Sequence, residues 1–241
     1  MKLAVISDIH SNIEALESVA YDIDRVGVDH IIALGDSIGY GADPEKVIEF
    51  LSIRQIKSVL GNHEFALLDK NYLRGFNPNA RAALVKNRQL LSQKSINRIK
   101  LFDIFYVRYG CRFVHGLPPD SVTRYVTLTP AAKLKKILTS LSERICFAGH
   151  THLLEITQLK KGKITRQKIT KKTISLDKES KYIINAGSVG QPRDGDSRAK
   201  YLIWDSYSNT IEPRFVIYNK ILAAEKIQKA GISERYAIKL L

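Results

Sequence analysis

The chain has 241 residues, 44% of them hydrophobic and 26% charged, which is ordinary for a globular protein and long enough to bury a real core. Basic residues outnumber acidic ones by 38 to 24, a formal charge of +14 that favours encounters with polyanions without by itself defining a binding site. No uninterrupted apolar run exceeds four residues, and MKLAVISDIH reaches an aspartate early, so neither a bilayer span nor a secretory signal is expected.

One pattern recurs along the chain: a short apolar run, rich in β-branched residues, ends in a polar residue able to bind metal or phosphate. LAVIS leads to Asp8, IIALG to Asp36, KSVLG to Asn62, CRFV to His115 and ICFAG to His150, and a sixth run, YIIN, opens into AGSVGQPR. Runs of this length bounded by glycine or polar residues predict buried strands. Their carboxyl ends are expected to converge on one rim, where open α/β sheets place ligands.

Helical stretches alternate with these runs. Ile13 to Val26 carries apolar residues at a helical period behind Asn12 as N-cap, and Pro44 to Leu51 suits a short helix with proline in its first turn. Pro78 to Leu101 predicts two helices broken near Ser92, Pro130 to Leu141 another, and Lys220 to Ala230 a last one stopped by Gly231. From His152 onward the character turns to β. The stretch from Glu155 to Ser175 alternates apolar and polar residues around Lys161-Gly162, predicting a long hairpin, and YLIWD with IEPRFVIY predicts a second strand pair joined by a Ser-Asn turn. No linker, repeat or composition shift divides residues 1–241, so a single domain is expected. Cys111 and Cys146 sit in apolar runs without partners at metal spacing, and are expected to be buried thiols of a cytoplasmic protein.

Five of the six histidines fall in four short clusters: Asp8-Ile9-His10, Asn62-His63, His115, and His150-Thr151-His152; His30 alone stands apart and is expected to be structural. Taken singly, Asp8 and Asp36 suit turns or caps, His115 a buried structural role and Asn62 a turn. A single metal site accounts for all of them together. Imidazoles and carboxylates without thiolates suit Mn first, with Fe, Zn or Co as alternatives, and make a poor cage for Mg or Ca. An aspartate with two oxygens can bridge two ions roughly 3.5–4 Å apart, the separation in two-metal hydrolases.

The series D-x-H, G-D, G-N-H-E, H and G-H-x-H resembles the signature of the calcineurin-like metallophosphoesterases. It stands here as Asp8-Ile9-His10, Gly35-Asp36, Gly61-Asn62-His63-Glu64, His115 and Gly149-His150-Thr151-His152, in order. The phrases SDIHSNIEAL, GDSIGYGADP and NAGSVGQPRDGDSRA narrow the resemblance to the small bacterial and archaeal single-domain branch. It implies a four-layer αββα fold, α+β in class, with two facing mixed β-sheets flanked by helices. It implies two divalent metal ions, one held by Asp8, His10 and His152, the other by Asn62, His115 and His150, with Asp36 bridging. It also implies a phosphoesterase that hydrolyses phosphomonoesters or phosphodiesters by attack of a metal-bridging hydroxide, with His63 beside the phosphate and not a ligand. The alternative is a non-catalytic module that keeps the fold to bind nucleic acid or protein.

Two departures from the branch stand near the site. Glu64 replaces the more usual aspartate, giving a longer arm to the carboxylate expected to orient His63, and Ala186 replaces a rigid proline. Asn12 either caps the first helix or reaches the substrate. Arg193 either grips a phosphate or pairs with Asp194 or Asp196. The expected partner is a phosphate ester, with nucleotides or nucleic acid among the candidates; no membrane contact is expected, and a homo-oligomer is open. Lys160, Lys161, Lys163, Arg166, Lys168, Lys171 and Lys172 make the long hairpin strongly basic, which suits an exposed edge better than a nucleic-acid track, because interleaved aromatics are missing.

Overall fold

The computed structural model describes residues 1–241. Its strands form two six-stranded sheets. The first runs in the order β3 (Lys57–Ser58), β2 (His30–Ala33), β1 (Lys2–Ile6), β11 (Ala199–Asp205), β12 (Thr210–Val216), β9 (Ile174–Ser175). The second runs β4 (Phe105–Arg108), β5 (Cys111–Val114), β6 (Ile145–Ala148), β10 (Lys181–Ala186), β7 (Leu154–Lys160), β8 (Lys163–Lys168). Both are mixed: β1 is parallel to β2 and antiparallel to β11, while β10 is parallel to β6 and antiparallel to β7.

Side chains alternate between the faces of a strand, and that period sorts the core into layers. Leu3 and Val5 of β1 point between the sheets, where they join Phe113, Phe147, Tyr182 and Trp204. Ala4 and Ile6 point the other way, onto a layer that includes Leu16, Val19 and Ile23 of α1 (Ile13–Val26), Val47 and Leu51 of α2 (Pro44–Ile53), and Ala223 and Ile227 of α8 (Lys220–Lys229). On the far side, Cys146 and Ile183 of the second sheet meet Leu134 and Leu138 of α7 (Ala131–Ser140). The result is the αββα stack of two facing sheets flanked by helices. Each large apolar side chain buried this way stabilises the fold by about 1.5–3 kcal/mol.

Most predicted boundaries match. Asn12 Oδ1 accepts the Ala15 amide at 3.1 Å and caps α1. Ser92 separates α5 (Pro78–Leu90) from α6 (Gln93–Ile99) and accepts the Ser95 amide. Cys111 and Cys146 are buried and unpaired, and His30 opens β2, its ring stacked on Tyr109.

Two expectations are corrected. The run KSVLG is barely a strand: only Lys57–Ser58 pair, Val59 bridges to Asp103, and Asn62 begins a helix, α3 (Asn62–Leu68), followed by α4 (Lys70–Arg74). The helix begins there because Glu64 receives the Gly61 amide, so Asn62 sits in a first helical turn instead of at a strand end. The long hairpin is shorter than predicted. It turns at Lys161-Gly162 and ends at Lys168; Ile169 is buried, and Ile174–Ser175 crosses to pair with β12 of the other sheet. The short elements β4 and α9 (Glu234–Ile238) were not predicted.

Candidate metal centre

The carboxyl ends of β1, β2, β5 and β6 meet at one rim spanning both sheets, and the first turn of α3 closes it. Asp8, His10, Asp36, Asn62, His63, His115, His150 and His152 all converge there and all are buried. The backbone is bent to aim them: Asp8, His10, Asp36, His150 and His152 all have φ between 49° and 71°, in the left-handed region that costs a non-glycine residue about 1–2 kcal/mol. Strain collected at one place, by residues of one chemistry, is the mark of a functional site. The glycines of the signature permit the crowding. A Cβ on Gly61 would collide with the Asp36 amide and Oδ1, and one on Gly149 with the Ser7 hydroxyl.

The imidazoles are oriented by backbone carbonyls, which can only accept. His10, His115 and His152 each turn Nδ1 to a carbonyl, those of Ile38 (3.1 Å), Leu34 (2.7 Å) and Gln191 (2.5 Å). His150 is reversed, with Nε2 on the Thr123 carbonyl at 3.1 Å. The remaining nitrogens then face inward. His10 Nε2 lies 3.1 Å from His152 Nε2, and His115 Nε2 lies 3.1 Å from His150 Nδ1 and 3.0 Å from Asn62 Oδ1.

The two carboxylates fit between them. Asp8 Oδ2 accepts the Ser7 hydroxyl at 2.6 Å and the His150 amide at 3.0 Å, while its Oδ1 is buried without a hydrogen-bond partner, 3.3 Å from His152 Nε2. Asp36 Oδ1 accepts the His63 amide at 2.9 Å. Its Oδ2 reaches toward both histidine groups, 3.3 Å from His115 Nε2 and 3.8 Å from His10 Nε2. Three potential ligand sets result: Asp8-His10-His152, His10-Asp36-His63 and Asp36-His115-His150.

Electrostatics agree with a site built around positive charge. Burial holds His10 and His152 well below the ordinary imidazole range, so both are neutral and two lone pairs face each other across 3.1 Å. Burial also pushes Asp8 up to about 7, with Asp36 adding to the rise and His115 opposing it. For His115 burial acts downward, but the charges of Asp36 and Asp8 outweigh it and push the ring up to about 9. Facing lone pairs, an orphaned carboxylate oxygen and an all-N/O donor set fit divalent cations well.

The family profile of the calcineurin-like phosphoesterase superfamily domain matches residues 1–209. The chain belongs to the calcineurin-like phosphoesterase superfamily. It is 31% identical to an uncharacterized protein of Methanocaldococcus jannaschii, over 96% of this chain and 94% of that one. It superposes on the crystal structure of a metallophosphoesterase from Sphaerobacter thermophilus with a TM-score of 0.84 and 29% identity, covering 100% and 98% of the two chains. A hypothetical protein from Pyrococcus horikoshii shares the fold, with a TM-score of 0.82 at 16% identity over 99% and 97% of the chains. Family and ligand clusters together make this a metal-dependent phosphoesterase. No helix is long and apolar enough to cross a membrane.

Of the other residues around the phosphoesterase centre, Asn12 takes the capping role expected of it, whereas Glu64 differs from expectation. Glu64 does not touch His63; its carboxylate accepts the amides of Asp36 (2.8 Å), Gly61 (2.9 Å) and Ile38 (3.0 Å). His63 is oriented by packing instead, between Tyr40 and Phe76, and its Nδ1 has no partner. Both polar atoms of Asn12 are used within the scaffold, Oδ1 as the α1 cap and Nδ2 donating to the Gly190 carbonyl at 3.0 Å. Arg193 pairs with neither Asp194 nor Asp196, which bind Lys200 and Arg198. It is exposed, donates to Gln191 Oε1 at 3.3 Å, and lies 5.9 Å from the Tyr40 ring centre.

Several supports carried no sequence signal. Asn87, buried in α5, binds Ser11, Gly39 and Gly41 and so fixes the two loops bearing His10 and Asp36. Tyr125 stacks on His150, ring centres 3.9 Å apart. Ser188 donates to the Asp8 carbonyl at 2.8 Å. Only the tertiary fold brings these partners together.

Proposed function

We propose that this protein hydrolyses phosphomonoesters or phosphodiesters at a dinuclear centre, with manganese as the preferred metal. Asp8, His10 and His152 would hold one cation and Asn62, His115 and His150 the other, with Asp36 serving both. The observation that carries this reading is the pairing of inward imidazole nitrogens, His10 with His152 and His115 with His150, around Asp36 Oδ2. When bound, a pair of divalent cations lowers the pKa of water to near neutrality and neutralises charge on a phosphoryl group.

The chain's own residues do the rest. Asp8 and Asp36 supply two negative charges, and the carbonyls behind the imidazoles keep their tautomers ready to ligate. Burial lowers His63 to about 4, with Asp36 partly offsetting it, so the ring is neutral near pH 7. Its Nδ1 meets no acceptor, whereas Nε2 faces Asp36 Oδ2 at 4.0 Å, which favours the proton on Nε2. From there it would donate a hydrogen bond to a phosphoryl or leaving oxygen. The same reading takes residues 1–241 as one domain working in the cytoplasm, an address that the two buried, unpaired cysteines support.

The test is hydrolysis of p-nitrophenyl phosphate and bis(p-nitrophenyl) phosphate, with added Mn²⁺ and with chelator, in wild type and Asp36→Asn. Metal-dependent turnover lost in the variant, in protein that remains folded, is the expected result, and the preferred ester separates phosphatase from phosphodiesterase. Turnover that survives chelation or the substitution would overturn the reading.

A further inference from the structure

Beside the metal centre lies a group of cations that nothing in the protein neutralises. Tyr236 of α9 is buried and stacks on Tyr40 at 4.5 Å between ring centres, and Tyr40 in turn packs on His10 at 4.4 Å and on His63 at 4.5 Å. That aromatic relay docks α9 onto the candidate site. Arg235 and Lys239, one helical turn apart and therefore on one face, flank the docked tyrosine. Both are exposed. Arg193 approaches from the other side, over Tyr40.

None of the three belongs to an ion pair. The carboxylates in the Arg193 loop are engaged elsewhere, Asp194 by Lys200 and Asp196 by Arg198, and Glu234 of α9 lies beside Gln228. Their proximity is felt electrostatically: Lys239 is lowered by its partial burial and by the charges of Arg193 and Arg235. Arg193 likewise depresses His10, His63 and His152, after burial itself. Unpaired cations abound on a +14 chain, but most lie on open surface, as on the edge strand β8. This trio is different because it stands beside the stacked rings of Tyr236, Tyr40 and His63 and because it borders the place where a scissile phosphate would sit.

We propose that Arg193, Arg235 and Lys239 form a second anion subsite, which takes a phosphoryl group carried by the substrate in addition to the scissile one. The inference rests on the phosphoesterase reading above and narrows its substrate class to esters with at least two phosphoryl groups. Two guanidinium forks and an ammonium offer the multiple charge-assisted hydrogen bonds that a phosphoryl group accepts. A single exposed cation would be screened too strongly to select for it.

The experiment compares adenosine 3′,5′-bisphosphate with adenosine 5′-monophosphate as competitors of p-nitrophenyl phosphate turnover by the Mn²⁺-loaded protein. The bisphosphate is expected to bind about tenfold more tightly, as for one well-formed charged contact set. In Arg235→Gln/Lys239→Gln that preference should shrink to about twofold or less, whereas Lys163→Gln/Lys168→Gln on β8 should retain it, because it removes equal charge elsewhere. Equal affinities in wild type, or equal losses in both double variants, would overturn the subsite. If no ester is turned over, the phosphoesterase reading falls. The two nucleotides are then titrated calorimetrically into the inert metal-loaded protein, where the same ratio of dissociation constants decides the subsite.

Discussion

Glu64 holds Asp36 through its backbone: the carboxylate accepts the Asp36 amide at 2.8 Å, and the same group ties in Gly61 and Ile38. The bent loop of Asp36 and the first turn of α3 are therefore joined by one buried side chain. Glu64→Gln keeps the volume but turns an NH₂ toward an amide that needs an acceptor. Leaving one buried donor unsatisfied costs about 1–3 kcal/mol. The variant is expected to melt at lower temperature and to lose turnover, because Asp36 shifts. Calorimetric unfolding and ester hydrolysis check this together; a Gln variant as stable and as active as wild type would show that the carboxylate is dispensable.

The protonation pattern predicts how metal and pH are coupled. In metal-free protein His115 is raised to about 9, against 6.5 for an ordinary histidine, despite the burial that acts the other way. A raised pKa gives stability that is fully present below 6.5 and lost as pH climbs through 9. Burial raises Asp8 and Glu64 to about 7, which lowers stability as pH rises from their ordinary carboxylate values to about 7. The depressed histidines are neutral in both states above about pH 7.5 and drop out. Metal-free protein should therefore lose of order 2 kcal/mol between pH 7 and 9. Metal binding near pH 8 should release about one proton, from His115. Titration calorimetry in buffers of different ionisation enthalpy measures that release, and proton uptake or none would contradict the assignment.

His63 is argued to act on the phosphate and not on the cations. His63→Asn should then lower kcat by roughly 10²–10³-fold while the bound metal, counted by elemental analysis, stays unchanged. A variant that loses metal in proportion to activity would make His63 a ligand, as its presence in a set with His10 and Asp36 allows.

Much of the architecture was legible because it rests on local period and punctuation. The strand runs ending at Asp8, Asp36, His115 and His150, the Asn12 cap, the helix break near Ser92, and the Lys161-Gly162 turn are all written in adjacent residues. The gathering of the candidate site was legible for a related reason, since chemically matched residues at successive strand ends must meet on one rim. What stayed hidden depends on partners distant in sequence. Glu64 adjoins His63 in sequence, yet its acceptors are filled by amides 26 and 28 residues away as well as by Gly61. Asn87 is one polar position within a helix, and only packing places it between two loops. The early end of the basic hairpin follows from Ile174 pairing across to β12, a choice no alternation pattern encodes.

Lys200 is wholly buried, yet its ammonium is satisfied, donating to Asp194 Oδ1 at 2.8 Å, the Asp196 carbonyl at 2.5 Å and the Arg198 carbonyl at 3.2 Å. It pins the loop at whose start Arg193 stands. Lys200→Met preserves length and removes the charge, leaving Asp194 without its partner and one residue from Arg193. The freed carboxylate is expected to capture the guanidinium. KM for an ester carrying a second phosphoryl group should then rise several-fold, with kcat changed less than about threefold, since no reacting group is altered. Stability should fall by about 1–3 kcal/mol from the lost charged hydrogen bonds. Adding Asp194→Asn removes the competing charge, and should restore KM without restoring stability. If the second substitution leaves KM high, the loop itself has moved, and Arg193 is held by backbone geometry and not by the pairing of its neighbour.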